Sequence, residues 1–231
     1  MRAYILCGGL GTRLREVTKG GQKAMVEVRG EPFLQLLLRE LKQAQITDIV
    51  LCAGYRADQL AQARDGLAEE TGLLLQMVVE GSPLGTGGAL LHALASLPPT
   101  QRYMVLNADT YLDAEGFAAM RAANGNRILA AQVADRSRYG SLQLSSDGKV
   151  QALTEKGVQG EGVVNAGVYC FEPDAFVGGA LKACSLERDL LPRLINRQQL
   201  YAVDYAGTFQ DIGTPSALAD FCHQRYSEGR Q

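Results

Sequence analysis

The segment "CGGLGTRLREVTKGGQKAM", residues 7–25, follows directly on the apolar run "AYILC", residues 3–7. A short apolar run that ends in glycines predicts a buried strand feeding into a loop. Glycines at a strand end let the backbone approach a ligand closely, because no Cβ intervenes. Arg13 and Lys23 lie in the same loop and indicate that the ligand is anionic. The segment therefore predicts a phosphate-binding loop at the end of the first strand.

Outward from this loop, strands and helices alternate over about the first 125 residues. The predicted elements are strand Ala3–Cys7, helix Pro32–Ile46, strand Thr47–Gly54, helix Ala57–Glu70, strand Gly72–Glu80, helix Gly85–Leu97 and strand Arg102–Asp109. Such alternation is typical of a parallel, doubly wound sheet with helices on both faces.

After about residue 125 the predicted strands have few helices between them. They are Arg127–Val133, Ser141–Ser145, Lys149–Lys156 and Val163–Phe171, and helices are predicted at Ser185–Gln199 and Thr214–Glu228. Ser185 and Thr214 are expected to cap these helices, Glu187 is assigned to the first turn of the earlier one, and Pro215 suits a first helical position. Since no repeat or linker is visible, residues 1–231 are predicted to form one α/β domain. We expect a Rossmann-like, mostly parallel mixed sheet flanked by helices.

Composition narrows the class of protein. The chain has 231 residues, 46% of them hydrophobic, which is enough for a folded core. Its net charge of −2 gives no global basic field for nucleic acid or an anionic membrane. The five cysteines form no C-x-x-C pair and predict free thiols in a reducing compartment. We see no leader and no apolar stretch of roughly 18 residues, so we expect a cytoplasmic protein without nucleic-acid or membrane partners.

Several phosphate loops and hydrolase motifs fit this sequence poorly. The dinucleotide fingerprint needs a third glycine or alanine where the chain has Leu14. The Walker A motif needs glycine before its lysine and serine or threonine after it, where this chain has Gln22 and Ala24. A metal hydrolase lacks ligands, since His92 and His223 are the only histidines. A serine hydrolase would need a G-x-S-x-G motif, which is absent from the sequence.

The loop instead resembles the signature of the sugar-1-phosphate nucleotidyltransferases, through "GGLGTRL" (residues 8–14) and "KAM" (residues 23–25). Further motifs appear in the order of that family: "PLGTGGA" (83–89), "LNAD" (106–109), "RYG" (138–140), "EK" (155–156), "NAGVY" (165–169) and "FQDIGTP" (209–215). Together with "SLERDLLP" (185–192), the sequences of these motifs are most similar to those of the D-glycero-α-D-manno-heptose 1-phosphate guanylyltransferases. Gln22 stands where the family usually has proline, a difference that bears on the rigidity of the loop more than on its chemistry.

The resemblance implies transfer of a nucleotidyl group from a nucleoside triphosphate, expected to be GTP, to that heptose phosphate. Pyrophosphate would be released and Mg²⁺ would be the cofactor, giving a nucleotide sugar for surface glycans. The implied catalytic residues are Arg13, Lys23 and Asp109, and the implied metal ligands are Asp109 and Asp211. The implied nucleotide contacts, in a half of about residues 1–125, are Cys7, Gly8, Gly9, Gly11, Thr12, Glu80, Gly85, Thr86 and Gly88. The implied sugar-phosphate contacts, in a half of about residues 126–231, are Gly140, Glu155, Lys156, Asn165 and Tyr169.

Glu80 carries the argument for guanine. A carboxylate only accepts hydrogen bonds, and guanine presents N1–H and its 2-amino group side by side, whereas uracil and thymine offer one N3–H between acceptors. Glu80 is equally compatible with a solvated acid at a strand end, and Tyr169 with core packing. Either Asp109 or Asp211 alone is equally compatible with capping a turn.

Two functional alternatives stay open at this point. One is the same chemistry by a cytidylyl-, uridylyl- or thymidylyltransferase acting on a hexose 1-phosphate. The other is an inactive nucleotide-binding subunit that regulates a partner, although Arg13, Lys23, Asp109 and Asp211 are all present. A homodimer is also left open.

Overall fold

The protein is described by a computed structural model for residues 1–178 and 181–228. Its strands are β1 (Arg2–Leu6), β2 (Glu27–Val28), β3 (Glu31–Pro32), β4 (Asp48–Ala53), β5 (Leu74–Val79), β6 (Tyr103–Asn107), β7 (Thr110–Leu112), β8 (Asn126–Val133), β9 (Ser141–Leu144), β10 (Val150–Thr154), β11 (Gly162–Phe171), β12 (Leu200–Tyr205) and β13 (Phe209–Asp211). Its α-helices are α1 (Phe33–Gln43), α2 (Ala57–Thr71), α3 (Gly85–Ser96), α4 (Ala114–Ala122), α5 (Leu191–Asn196) and α6 (Pro215–Glu228). Short 3₁₀ turns lie at Thr12–Leu14 and Lys23–Met25, and a π-helical turn at Leu186–Leu190. Among the described residues, no helix combines the length and the apolar character needed to cross a bilayer.

One sheet, with nine strands among the described residues, runs through the molecule. Its strand order is β10-β9-β11-β6-β1-β4-β5, and β8 and then β12 continue from β11. The strands from β6 through β1 and β4 to β5 are parallel, whereas β11 runs antiparallel to β6, β8 and β9. The predicted α/β fold, a single mixed sheet flanked by helices, is confirmed.

The central strands are buried on both faces, and successive residues of β1 alternate between two apolar clusters. Ala3 and Ile5 pack into the cluster that contains α1, α2, α4 and α6. Tyr4 and Leu6 pack into the cluster that contains α3, the π-helical turn and α5. Strands buried on both sides in this way read as continuous apolar runs, which is why the first strand is visible in the sequence.

The sequence analysis missed six elements: β2, β3, β7, α4, β12 and β13. The three-residue strands β7 and β13 are too short to give a periodic pattern. The helix predicted at 185–199 is also different, because it begins as a π-helical turn and its α-helical part ends at Asn196. The expected cap is confirmed, since the Ser185 side chain accepts a hydrogen bond from the main chain of Arg188 at 3.2 Å.

Asp113 caps α4 and ties it to the segment that leads into β13. Its carboxylate accepts hydrogen bonds from the main-chain N–H groups of Gly116 and Thr208, each at 2.9 Å, and from the Tyr205 hydroxyl. We expect Asp113→Ala to lower the free energy of unfolding by about 1–2 kcal/mol, the usual cost of a lost cap. Urea denaturation at pH 7 would measure the loss.

The same experiment at lower pH tests the cause. Partial burial would raise the pKa of Asp113, but the hydrogen bonds from Tyr205, Gly116 and Thr208 outweigh it and hold the pKa below its usual value. The ionised carboxylate therefore contributes its stability above about pH 4, the value for an unfolded aspartate, and loses it as the pH falls further. A difference between wild type and variant that is as large at pH 2.5 as at pH 7 would contradict this account.

Candidate active site

A cleft with a volume of about 680 Å³ is lined by residues of the glycine loop, the end of β6 and the middle of β11. Ligands of α/β sheets commonly bind at the carboxyl ends of the parallel strands. Its walls include nearly all the charged residues that the sequence analysis selected. They are Arg13, Lys23, Asp109, Glu155, Lys156 and Asp211, together with Thr86, Gly140 and Asn165.

Two positions of the glycine loop, Gly8 and Gly11, favour glycine. Gly11 has a positive φ of 58°, which favours glycine. A Cβ on Gly8 would lie 2.7 Å from Glu80 Oε1, so the loop passes directly over that carboxylate. The structure thus brings Gly8 and Glu80 together, although neither lines the cleft, and their contact with a nucleotide stays a prediction.

The nucleotide contact predicted for Cys7 is not supported by its surroundings. Its side chain is fully buried in the core, and burial raises the pKa of the thiol to about 12. Its N–H donates to the Cys52 carbonyl at 2.8 Å, and its own carbonyl accepts from Gln22 Nε2 at 2.5 Å. These contacts make Cys7 an anchor of the loop, and its contact with a nucleotide stays a prediction.

Lys23 and Asp109 form a hydrogen-bonded ion pair at the floor of the cleft. Lys23 Nζ lies 2.8 Å from Asp109 Oδ2, and the two side chains are only 15% and 18% exposed. Burial would raise the pKa of Asp109, but the Lys23 ammonium outweighs it, with a smaller contribution from Lys156, and holds the pKa below its usual value. Arg13 is exposed on the loop and faces the same cleft.

Two short strands bring Asp211 beside Asp109. In the antiparallel pair of β7 and β13, Asp211 is opposite Thr110, and the Ile212 N–H donates to the Asp109 carbonyl at 2.9 Å. A Cβ on Gly213 would lie 2.7 Å from Asp211 Oδ1 and 3.2 Å from Asp109 Oδ2. The two oxygens are therefore no more than about 6 Å apart.

This carboxylate pair suits Mg²⁺, which usually takes one or two carboxylates and completes its shell with phosphate oxygens and water. Gly213 leaves open the space between Asp109 and Asp211 that any larger residue would fill. No group of three or more His, Cys, Asp or Glu side chains with metal-binding geometry occurs within the described ranges. A metal held by these two carboxylates would complete its shell with water or with phosphate oxygens of a substrate.

On the opposite wall, Asn165 is held by its neighbours. Its Oδ1 accepts from the Gly167 N–H at 2.9 Å, and its Nδ2 donates to the Tyr169 hydroxyl at 2.8 Å. Tyr169 itself is fully buried, and burial raises the pKa of its phenol well above the usual value. Tyr169 thus packs in the core and supports Asn165, which faces the cleft, and its contact with a sugar stays a prediction.

Glu187, which the sequence analysis assigned only to a helix turn, also faces the cleft. Its Oε2 accepts from Thr86 Oγ1 at 2.9 Å and from Ser185 Oγ at 3.0 Å. Its Oε1 lies 3.5 Å from the Tyr169 hydroxyl. The sequence signal for Glu187 was the "SLERD" motif. A helix cap and an acidic first turn were sufficient to explain that motif, so no role in ligand binding was assigned. The π-helical turn that carries Glu187 is a feature often found at functional sites.

The glycines of "GTGG" are needed for close packing in the fold, which the sequence did not reveal. A Cβ on Gly85 would lie 2.6 Å from the Cys184 carbonyl, one on Gly87 2.9 Å from Leu186 N, and one on Gly88 2.8 Å from the Lys182 carbonyl. These glycines let α3 pack directly on the segment 182–186. Their contact with a nucleotide stays a prediction.

The profile of the family described as Nucleotidyl transferase matches residues 2–227, nearly the whole chain. This chain belongs to that family. Among curated members, the mannose-1-phosphate guanylyltransferase catalytic subunit beta of Drosophila pseudoobscura pseudoobscura is 33% identical over 93% of this chain, and the mannose-1-phosphate guanyltransferase of Kluyveromyces lactis 32% over 93%. The chain covers 59% and 62% of those two proteins, about three fifths of their length.

Solved structures of nucleotidyl transferase relatives superpose on most of the chain. HddC from Yersinia pseudotuberculosis complexed with GMP-PN gives a TM-score of 0.81 at 32% identity, covering 97% of this chain and 99% of that one. A putative glucose-1-phosphate thymidylyltransferase from Bacillus anthracis gives 0.79 at 23% identity, covering 97% and 94%, and supports the fold alone. The resemblance inferred from the motifs is confirmed at the level of the family.

Proposed function

We propose that this nucleotidyl transferase moves a guanylyl group from GTP to a sugar 1-phosphate and releases pyrophosphate. The observation that carries the proposal is the hydrogen bond from Lys23 Nζ to Asp109 Oδ2, between the glycine loop and the wall that holds Asn165. In the proposal, this pair supplies a cation and a carboxylate suited to Mg²⁺ where the two anionic substrates would meet. The names of the curated relatives, and the guanine nucleotide analogue in the HddC complex, support guanine.

In the proposed reaction an oxygen of the sugar phosphate attacks the α-phosphorus of GTP. The bond from that phosphorus to the bridging oxygen breaks, and pyrophosphate leaves with the electron pair. Lys23 has three N–H donors, so it can keep its hydrogen bond to Asp109 and also donate to an α-phosphate oxygen. Arg13 and the main-chain N–H groups of residues 8–12 are suited to the β- and γ-phosphates. Magnesium held by Asp109 and Asp211 would supply further positive charge at the phosphates when bound.

The sugar phosphate is assigned to the half of the chain after about residue 125. Asn165, Glu155 and Glu187 offer acceptors for sugar hydroxyls, and the Gly140 backbone borders the same space. Lys156 contributes positive charge toward Asp109 and is suited to the phosphate. The nucleotide is assigned to the preceding half.

For the sugar we propose D-glycero-α-D-manno-heptose 1-phosphate, on the motif resemblance given above. Mannose 1-phosphate is the second candidate, favoured by the names of the curated relatives. Both sugars share the manno ring, and the heptose carries one more carbon beyond it. The product would serve surface glycan synthesis, and we place the reaction in the cytoplasm, where nucleoside triphosphates are made.

Pyrophosphate release with Mg²⁺ tests the proposal directly. GTP, CTP, UTP, dTTP and ATP would be crossed with mannose, glucose and manno-heptose 1-phosphates. Release confined to GTP with a manno-configured sugar phosphate is the expected result. Release with another nucleotide would refute the guanine assignment, and GTP binding without release from any pair would favour the inactive regulatory subunit.

Glu80→Gln is expected to reduce the preference for GTP over ATP by about tenfold to a hundredfold in kcat/KM, because a hydrogen bond to a charged group is worth about 1.5–3 kcal/mol. In the structure Glu80 Oε2 accepts from the Leu84 N–H at 3.0 Å, and Oε1 lies beneath Gly8. A glutamine offers one donor and one acceptor, so it cannot accept from both guanine N–H groups.

Competition between GTP and ATP in the pyrophosphate assay would measure this preference. Glu69→Gln, which removes the charge of an exposed glutamate on α2, is the matched control and should keep the wild-type preference. Unchanged selectivity in Glu80→Gln would remove Glu80 from base recognition without affecting the assignment of Lys23 and Asp109.

A further inference from the structure

Gln22 is almost entirely buried, with 1% of its surface exposed, at the end of the glycine loop. Glutamine seldom lies inside a protein, because an amide group left without partners there costs about 1–3 kcal/mol. The next residue is Lys23, whose ammonium reaches Asp109. Whatever fixes the backbone at Gln22 therefore also fixes the point from which the Lys23 side chain departs.

All polar groups of the Gln22 side chain are hydrogen-bonded. Nε2 donates to the carbonyls of Cys7 at 2.5 Å and Tyr55 at 3.2 Å, and Oε1 accepts from the Ala24 N–H at 2.9 Å. Cys7 follows the last residue of β1, Tyr55 lies in the turn before α2, and Ala24 belongs to the 3₁₀ turn that begins at Lys23. One buried amide thus joins the strand, the approach to the helix and the turn of the lysine.

We propose that Gln22 is a positioning residue: its amide holds the end of the glycine loop so that Lys23 is directed at Asp109. The inference rests on the proposed function, in which Lys23 acts on the phosphates. In this chain the amide fixes the backbone of residue 22 through both Nε2 protons and Oε1, which are used at once. An aliphatic side chain of similar size would leave two carbonyls and one N–H unpaired.

The backbone angles at Gln22 allow the orientation of Lys23 to be tested separately from the packing of the Gln22 side chain. Its φ of −68° and ψ of 125° are angles that proline also adopts. Its N–H donates to Gln59 Oε1 at 2.6 Å, so Gln22→Pro loses this bond and the three side-chain bonds but keeps φ fixed. Gln22→Leu loses the three side-chain hydrogen bonds and does not restrict φ.

The test compares the kinetics of these two variants with wild type. We expect Gln22→Leu to lower kcat by about tenfold to a hundredfold with a smaller change in the KM for GTP, since a displacement of about 1 Å can cost that much. Gln22→Pro should recover most of the lost kcat, although it removes more hydrogen bonds. Equal losses of kcat in the two variants, or no loss in Gln22→Leu, would overturn the proposal.

Gln35→Leu is the matched control. Gln35 is also a buried glutamine, 6% exposed, and its amide donates to Glu70 at the far end of α2. The same chemical change there should lower the thermal unfolding midpoint while leaving kcat within about twofold of wild type. A loss of kcat in Gln35→Leu as large as that in Gln22→Leu would mean general destabilisation and would overturn the assignment.

Amide hydrogen exchange provides a readout that needs no activity. In Gln22→Leu the Ala24 N–H loses its acceptor and should exchange about tenfold faster or more, while Gln35→Leu should leave it unchanged. If wild type transfers no nucleotide to any sugar phosphate, the proposed function fails, but the exchange of Ala24 still decides whether Gln22 orders the loop. Unchanged exchange in Gln22→Leu would overturn the positioning role even in an active enzyme.

Discussion

Replacing Lys23 with methionine is expected to lower kcat by about a hundredfold to a thousandfold, the cost of removing one group that stabilises transition-state charge. Methionine has a similar length and no charge, so it keeps the aliphatic packing against Gly9 and Gly11. The ammonium that donates to Asp109 at 2.8 Å would be absent, and no cation would remain at that point to meet an α-phosphate oxygen. Steady-state kinetics of pyrophosphate release would measure the change.

The control for this prediction is Lys42→Met, which removes the charge of an exposed lysine on α1 and should keep wild-type kcat. Thermal unfolding should accompany both assays, because Lys23→Met leaves the carboxylate of Asp109 without its ion-pair partner. Turnover above a tenth of wild type in a folded Lys23→Met variant would contradict the role of Lys23 and, with it, the observation on which the proposed function rests.

Much of the site could be predicted because it lies at the ends of strands that are easy to recognise. Arg13 and Lys23 follow β1 in a loop whose glycines and charges are visible in sequence, and Asp109 follows β6. Parallel strands of this kind expose their carboxyl ends on one edge of the sheet. The sequence therefore predicted that these groups meet, and the cleft contains all three.

The partnership of Asp109 with Asp211 could not be predicted from physical pattern alone. It depends on the pairing of β7 with β13, two strands of three residues that are distant in the chain. Such short segments carry no periodicity, and their pairing is fixed by tertiary contacts. Only the family resemblance indicated Asp211 in advance.

Burial was the other property that the sequence could not supply. Cys7 and Tyr169 occupy motif positions, yet both side chains are completely buried, Cys7 in the core and Tyr169 beneath Asn165, which it supports. Glu187 was assigned to a helix turn, yet the π-helical turn directs it to the cleft. In each case the role depends on which face of a strand or turn meets the solvent. The position of a residue in a sequence motif does not determine that face.

Replacing Gly213 with alanine is expected to weaken divalent metal binding and to lower kcat, each by about tenfold to a hundredfold, as changes that move metal ligands usually do. The added Cβ would lie 2.7 Å from Asp211 Oδ1 and 3.2 Å from Asp109 Oδ2, in the space between the carboxylates. Gly213 is not among the glycines with positive φ, so alanine fits its backbone. The damage should therefore be confined to the two carboxylates.

Titration calorimetry with Mn²⁺ alone would measure the metal affinity without relying on turnover, and pyrophosphate release would measure kcat. Gly66→Ala is the matched control, because a Cβ on this exposed glycine of α2 meets nothing within 4 Å and should favour the helix by roughly 0.5–1 kcal/mol. Weaker Mn²⁺ binding in Gly213→Ala, with wild-type binding in Gly66→Ala, would support Asp109 and Asp211 as a joint metal site. Wild-type Mn²⁺ affinity in Gly213→Ala would mean that the carboxylates do not bind metal together, and any loss of kcat would then reflect a steric effect on the substrates.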